Sequence, residues 1–394
     1  MRSIKEIFVI GHGPSSSHTM GPAKACEYIL ERYRDIESVD VFLYGSLANT
    51  GKGHLTDYII DLKFKDVKHT ITFDTKKRCK HPNTMLFKVN KNGKSYNEYI
   101  VSIGGGTIVT NNNYKDKEEA IYPHRFMKDI LQYCQENDMS LANYVEEFED
   151  TNIRNYLGSC VAKMNQSIRE GIQKTGVLPG NLKVKRKAKE MYAAYLNKEI
   201  KSSEEMMAIA SFAVAEENAS GGEIVIGPTC GAAGVIPGAL TYLYETKTSY
   251  ENIIKGMEVA GLIGILCKTN ASVSGAEAGC QAEIGVACSM AAALIATANG
   301  LSNENIVQAA EIALEHSLGL TCDPVEGYVQ IPCIERCALF ALKAKNAYKL
   351  AEMIPSEYAK ISFDDVVKTM YQTGKDINKG YKETAKEGLA KLFK

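Results

Sequence analysis

Three cysteines in the last third of the chain carry its most specific chemistry. Cys280 lies in Gly275-Ala-Glu-Ala-Gly-Cys-Gln281, Cys322 in Leu320-Thr-Cys-Asp-Pro324 and Cys333 in Ile331-Pro-Cys-Ile-Glu-Arg336, each among Gly, Pro and carboxylates instead of in an apolar run. Such settings let the backbone turn sharply and bring a thiolate toward an ion. Three thiolates would leave one corner of an iron–sulfur cluster free to act as a Lewis acid. The spacing lacks the tight C-x2-C pattern of zinc fingers and ferredoxins. Because free Cys is among the most buried residue types and the chain holds 11, packing as core thiols stays open on the residues alone. Cys26, Cys134, Cys160, Cys267 and Cys288 read as ordinary core residues.

Proton transfer needs a base, and the chain offers seven His. His18, His54 and His81 lie in words rich in Gly, Ser and Pro, where a His has little reason to be packed, and His titrates in the range suited to proton abstraction near neutral pH. A lone His is more often structural; His316, on an apolar helical pattern six residues before Cys322, reads equally as support for the cysteine loop or as core. His12, His69 and His124 receive no role. Ser15, Ser16 and Ser17 read both as a helix start and as donors to an anion, since the same hydroxyls and N–H groups serve both. Ser102-Ile-Gly-Gly-Gly106 lacks the spacing and following helix of a dinucleotide loop.

The elements that must position these residues fall into two kinds. Residues 1–110 mix periods: a helix opened by Pro22, strands at Val39–Leu47, His69–Asp74, Met85–Val89 and Tyr96–Ile103, and a turn signal at Asn90-Lys-Asn-Gly93. Residues 111–140 read as a connection, with polar Asn111-Asn-Asn113, charged Lys115-Asp-Lys-Glu-Glu119 and a helical pattern at His124–Asn137. From 141 to 394 helical patterns take over, at Glu204–Ala219, Ala232–Glu245, Asn252–Cys267, Gln281–Asn299, Glu304–Leu318, Ile334–Met353 and Phe363–Asn378, the last with a capping box at Ser362 and Asp365. The expected fold is α+β, a small α+β domain followed by an all-α domain. The Ala, Ser, Gly and Cys content of the uncharged run Ile284–Leu301 makes it too weakly hydrophobic for a membrane span, so it reads as the central helix of a bundle.

At 394 residues the chain can bury two cores, and 46 basic against 47 acidic residues leave no field to draw it to nucleic acid or an anionic membrane. A small-molecule substrate fits best. The start, Met1-Arg-Ser-Ile-Lys-Glu-Ile-Phe8, has no secretory apolar region, and many Cys outside a small disulfide scaffold point to a reducing cytoplasm without disulfides.

The three cysteine segments, together with Gly13-Pro-Ser-Ser-Ser-His-Thr19, Gly51-Lys-Gly-His-Leu-Thr-Asp57, His81-Pro-Asn83, Ser102–Gly106, Gly176-Val-Leu-Pro-Gly180, Glu216-Glu-Asn-Ala219, Asn270-Ala-Ser-Val-Ser-Gly-Ala-Glu277 and Thr373-Gly-Lys-Asp-Ile-Asn378, resemble the iron–sulfur-dependent L-serine dehydratases of bacteria in their single-chain form. The resemblance implies a β-type N-terminal domain, a helical cluster-binding domain, and dehydration and deamination of L-serine to pyruvate and ammonia. It further implies Cys280, Cys322 and Cys333 as ligands of a [4Fe-4S] cluster, His54 as general base, and His18 and His81 as orienting partners. Ser15, Ser16, Ser17, Asn83 and Ser274 are implied as substrate contacts, with no pyridoxal phosphate. Glu326, Tyr328 and Cys337 depart from the family pattern, and the sequence ends without the terminal-proximal Cys that single-chain relatives commonly carry, so the fourth iron is expected to be open at rest. A homodimer is expected from close packing of Ala-rich helices. Two rival readings have different signatures: a pyridoxal-dependent lyase would need a doubly wound sheet and a Schiff-base Lys, and a regulatory N-terminal module would be dispensable for turnover.

Overall fold

In chain order the strands are β1 (Val9–His12), β2 (Ser38–Tyr44), β3 (His69–Asp74), β4 (Thr84–Lys91), β5 (Lys94–Gly104), β6 (Thr107–Thr110) and β7 (Glu223–Ile226). The computed structural model describes residues 1–110 and 120–393, and the chain divides into two units. One comprises Gly11–Glu118 and Ser220–Glu223, the other Met1–Ile10, Glu119–Ala219 and Ile224–Lys394. The connection expected at Asn111–Asn113 and Lys115–Glu119 lies outside the described residues.

Period-2 alternation builds the first unit. Along β2 the side chains of Val39, Val41 and Leu43 all turn to one face, and their antiparallel partners on β4 are Val89, Phe87 and Met85. All six are fully buried beneath Ala25, Cys26 and Ile29 of the helix Gly21–Arg32 and Ile59 and Ile60 of the helix Thr56–Lys63. The sheet order is β3-β2-β4-β5-β6, with only β2 and β3 parallel. β4 and β5 turn across Asn92 and Gly93, both at positive φ, the backbone that the Asn-Gly signal predicts.

Small residues build the second unit. The helix Val286–Ala298 is buried on nearly every side, as an all-round apolar helix must be. Among the described residues the stretch Gln281–Ala298 is long and apolar enough to cross a membrane, and 89% of it is buried inside the fold. It packs on Tyr250–Asn270, whose Gly264 also admits the N-terminal segment: a Cβ there would stand 2.7 Å from Ile7 Cγ2 and 3.0 Å from Met290 Sδ. Ile4, Ile7 and Phe8 therefore lie in the helical core. Residues 1–10, expected with the sheet, belong instead to the helical unit, because Ile4 and Ile7 pack against the distant Gly261 and Gly264.

The helical patterns appear with shifted ends. Gln281–Gly285 forms a π turn before the central helix, Cys333 is the first residue of Cys333–Met353, and Ser362 and Asp365 form the capping box of Phe363–Asp376. The short strand β7 interrupts a region expected to be wholly helical. The helix Asn303–Glu315 ends before His316, whose side chain is 65% exposed, so His316 is neither core nor a support of the cysteine loop.

Candidate active site

Ser15 opens a π turn over Ser16–Met20: its hydroxyl accepts from the His18 N–H, and its carbonyl accepts from Thr19 and Met20. That turn carries His18 into the unit, 5% exposed, beside His54, 3% exposed, with ring centroids 4.7 Å apart. The Thr19 hydroxyl donates to the His54 carbonyl at 2.7 Å and the Thr56 hydroxyl to the His18 carbonyl at 2.5 Å, so the two His segments are stitched to each other.

The hydrogen bonds assign the ring nitrogens. His54 Nδ1 lies 3.1 Å from the Thr50 carbonyl, which can only accept, so Nδ1 carries the proton and Nε2 is left with its lone pair. Nε2 is buried without a hydrogen-bond partner among the described residues. The Thr50 hydroxyl gives its hydrogen to the Ser46 carbonyl at 2.9 Å, so its oxygen accepts from His18 Nε2 at 3.1 Å, with Ser46 Oγ at 3.0 Å. His18 Nδ1 then accepts from Ser17 at 2.8 Å. Burial pushes His54 down to about 4, against the opposing pull of the Thr50 carbonyl; burial and then the neighbouring His54 push His18 well below its ordinary value. Both rings are neutral at neutral pH.

His81 approaches the same group through the backbone. Its Nδ1 accepts from the Asn83 N–H at 3.1 Å, its carbonyl accepts from Thr84, and partial burial lowers its proton affinity. The Pro82 carbonyl accepts from the Ser46 N–H at 2.7 Å. Gly45, at φ +57, makes that approach possible: a Cβ there would stand 2.5 Å from the Pro82 carbonyl oxygen. Asn83 Oδ1 is buried with no partner among the described residues. Ser16 contributes its carbonyl to the Gly21 N–H. His12, His69 and His124 are engaged elsewhere, with the Gly221 carbonyl, Asp61 and Tyr144.

In the helical unit the three singled-out cysteines meet. Cys280 precedes the π turn Gln281–Gly285, Cys322 is held by backbone bonds to Tyr381 and Glu383, and Cys333 begins its helix. The neighbouring Cys322 thiol and then the Arg336 guanidinium draw Cys280 below the ordinary thiol range, while Cys280 and burial raise Cys322. Burial and the neighbouring Cys280 raise Cys333. Glu283, half-buried, is pushed well above the usual carboxylate range by burial and by Glu383 and Cys280, and its Oε2 accepts from the Cys322 thiol at 3.8 Å. Ser274 sits at the entry to the short helix Gly275–Ala278, its N–H on Ser272 Oγ. A Cβ on Gly275 would stand 3.1 Å from Cys322 Sγ and 2.6 Å from Glu283 Oε2, so glycine is what lets this loop close on the thiols.

Among the described residues no three His, Cys, Asp or Glu side chains converge as ligands of a single metal ion. The donor set of three interacting soft thiols with one guanidinium fits instead a [4Fe-4S] cluster, in which each cysteine takes a different iron. Cys337, one turn after Cys333, donates its thiol to the Gly231 carbonyl at 3.2 Å.

The structure thus gathers Ser15, Ser16, Ser17, His18, His54, His81 and Asn83 in one unit and Ser274, Cys280, Cys322 and Cys333 in the other. Sequence reasoning missed Ser46, Thr50, Glu283 and Arg336. Ser46 and Thr50 stand four apart on one helical turn, and Arg336 stands three residues after Cys333, a spacing that puts each pair on one helix face.

Residues 3–62 match the family described as Serine dehydratase beta chain and residues 107–390 that described as Serine dehydratase alpha chain. The L-serine dehydratase 2 of Escherichia coli (strain K12) is 37% identical, covering 99% of this chain and 98% of its own. The L-serine dehydratase of a Helicobacter pylori strain is 39% identical, covering 100% and 99%. That of Streptomyces coelicolor is 37% identical over 98% of both.

Proposed function

The chain belongs to the serine dehydratase family, and we propose from that premise that it is an L-serine ammonia-lyase, converting L-serine to pyruvate and ammonia. The substrate is the one its relatives' names carry. Cys280, Cys322 and Cys333 would hold a [4Fe-4S] cluster. Bound there, it supplies an iron free of protein thiolate, a Lewis acid for the substrate hydroxyl.

The remaining chemistry falls to side chains. His54 Nε2 takes the α-proton of serine, since Nδ1–H is committed to the Thr50 carbonyl. The electron pair of the broken Cα–H bond forms the Cα=Cβ bond, and the Cβ–O bond breaks with loss of hydroxide, which the transferred proton converts to water. The resulting enamine tautomerises to an imine, and hydrolysis yields pyruvate and ammonia. His18, fixed at both ring nitrogens, orients His54, and His81 stands with Asn83 among the substrate contacts, which include Ser15, Ser16, Ser17 and Ser274. Pyridoxal phosphate takes no part. Eleven cysteines with no disulfide among the described residues fit a reducing cytoplasm, where an oxygen-sensitive site survives.

The single observation that carries the reading is the meeting of two buried thiols, Cys280 and Cys322, and the half-buried Cys333 with one guanidinium, while Cys337 is turned onto a backbone carbonyl. Protein purified without oxygen should hold about four irons per chain, form pyruvate from L-serine, show no pyridoxal absorbance, and lose turnover in air. Full activity in iron-free protein would overturn it.

A further inference from the structure

The three thiols come from three separate segments, and one side chain joins two of them. Arg336 lies one turn into the helix that Cys333 begins, so both are carried on the same rigid element. Its Nη1 donates to the carbonyl of Thr321, the residue before Cys322, at 3.1 Å. The same guanidinium lies near Cys280, whose thiol it helps draw below the ordinary range, and near Cys333 and Cys322. A planar fork with five N–H donors can hold a carbonyl and still present its charge to the neighbouring thiols; a lysine ammonium, a compact point charge, lacks that reach.

We propose that Arg336 is the positioning residue of the three-cysteine site: it ties the Cys322 loop to the Cys333 helix and offsets the negative charge that collects there. The inference rests on the cluster reading above. Three thiolates on an oxidised [4Fe-4S] core leave a single net negative charge in buried surroundings, and one guanidinium neutralises it. A neutral site admits the carboxylate of an amino-acid substrate, whereas an anionic one repels it. Partners of this kind, hydrogen-bonded to metal ligands, commonly control metal retention by about 10–100-fold.

The test uses full-length protein, purified and reconstituted without oxygen, as wild type, Arg336→Gln and Arg336→Lys. Three quantities are read: iron per chain, the rate of iron loss to a chelator, and the reduction potential of the bound cluster. Arg336→Gln should release iron about tenfold faster or more and show a more negative potential, with KM for L-serine rising more than kcat falls. Arg336→Lys, which keeps the charge and loses the span, should release iron nearly as fast as Arg336→Gln while holding a potential near wild type. Should Arg336→Gln fail to fold by circular dichroism, the Lys variant alone carries the test. Iron retention equal to wild type in either variant refutes the spanning role, and an unchanged potential in Arg336→Gln refutes the charge role. Wild-type protein that takes up no iron refutes the cluster reading instead, which separates the two failures.

Discussion

Acid should destabilise this protein through one histidine pair. His54 is fully buried, and its proton affinity falls from an ordinary 6.5 to about 4. In the unfolded chain the ring protonates as pH drops through 6.5; in the folded chain it does so only near 4. Between those values the unfolded state binds more protons, so stability is unaffected above the window, falls as pH falls through it, and stays reduced below it. The full difference is worth about 3 kcal/mol, and between pH 7 and pH 5 about 2 kcal/mol. His18, also buried and facing His54 across 4.7 Å, adds to the fall in the same direction. The perturbation is His54→Asn, whose side-chain amide can still donate to the Thr50 carbonyl. Urea unfolding followed by circular dichroism at pH 7 and pH 5 should show wild type losing about 2 kcal/mol more than the variant. An equal loss in both proteins would mean that His54 titrates as an exposed histidine, and the argument from its burial would be wrong.

Other outcomes follow from the same geometry. His54→Ala should keep its iron but lose about 10²–10⁴-fold in turnover, and exchange of the serine α-proton with deuterated solvent should vanish; activity within about threefold of wild type places the base elsewhere. In wild type the acid limb of kcat/KM should track the free-enzyme His54 near 4 and not an ordinary histidine near 6.5. Single replacement of Cys280, Cys322 or Cys333 by Ala should abolish iron binding, whereas Cys160→Ala, which alters a buried thiol on the helix Ile153–Gly171, should leave iron content unchanged. Cys337→Asn should retain iron and activity, because the native thiol is occupied with the Gly231 carbonyl; a Mössbauer spectrum with four equivalent thiolate-ligated irons in wild type and a distinct site in the variant would contradict that.

Much of the fold is written in local pattern. The alternation of Val39, Val41 and Leu43, the Asn-Gly turn, Pro22 at the start of its helix and the Ser362/Asp365 capping box each depend on neighbours within a few residues, and each appears where the pattern puts it. Helix ends drifted where loops rich in Gly met the helices, as at the π turn that follows Cys280. His316 shows the opposite failure: an apolar helical pattern continued on paper past Glu315, but the helix ended and the ring turned to solvent.

By itself, the sequence determined the two kinds of architecture, the family and the residues with chemistry to offer, because periodicity and motif order are properties of short segments. Tertiary structure decided who meets whom. Ile4 and Ile7 find their glycines more than two hundred and fifty residues away, in Gly261 and Gly264. Arg336 acquires its place only when the segment of Cys322 is folded against its own helix. The bare nitrogen of His54 exists because Thr50 claims the other one and because burial excludes water from both. A hydrogen-bond direction and a desolvation free energy depend on everything packed around an atom, and no local pattern of residues encodes that surrounding.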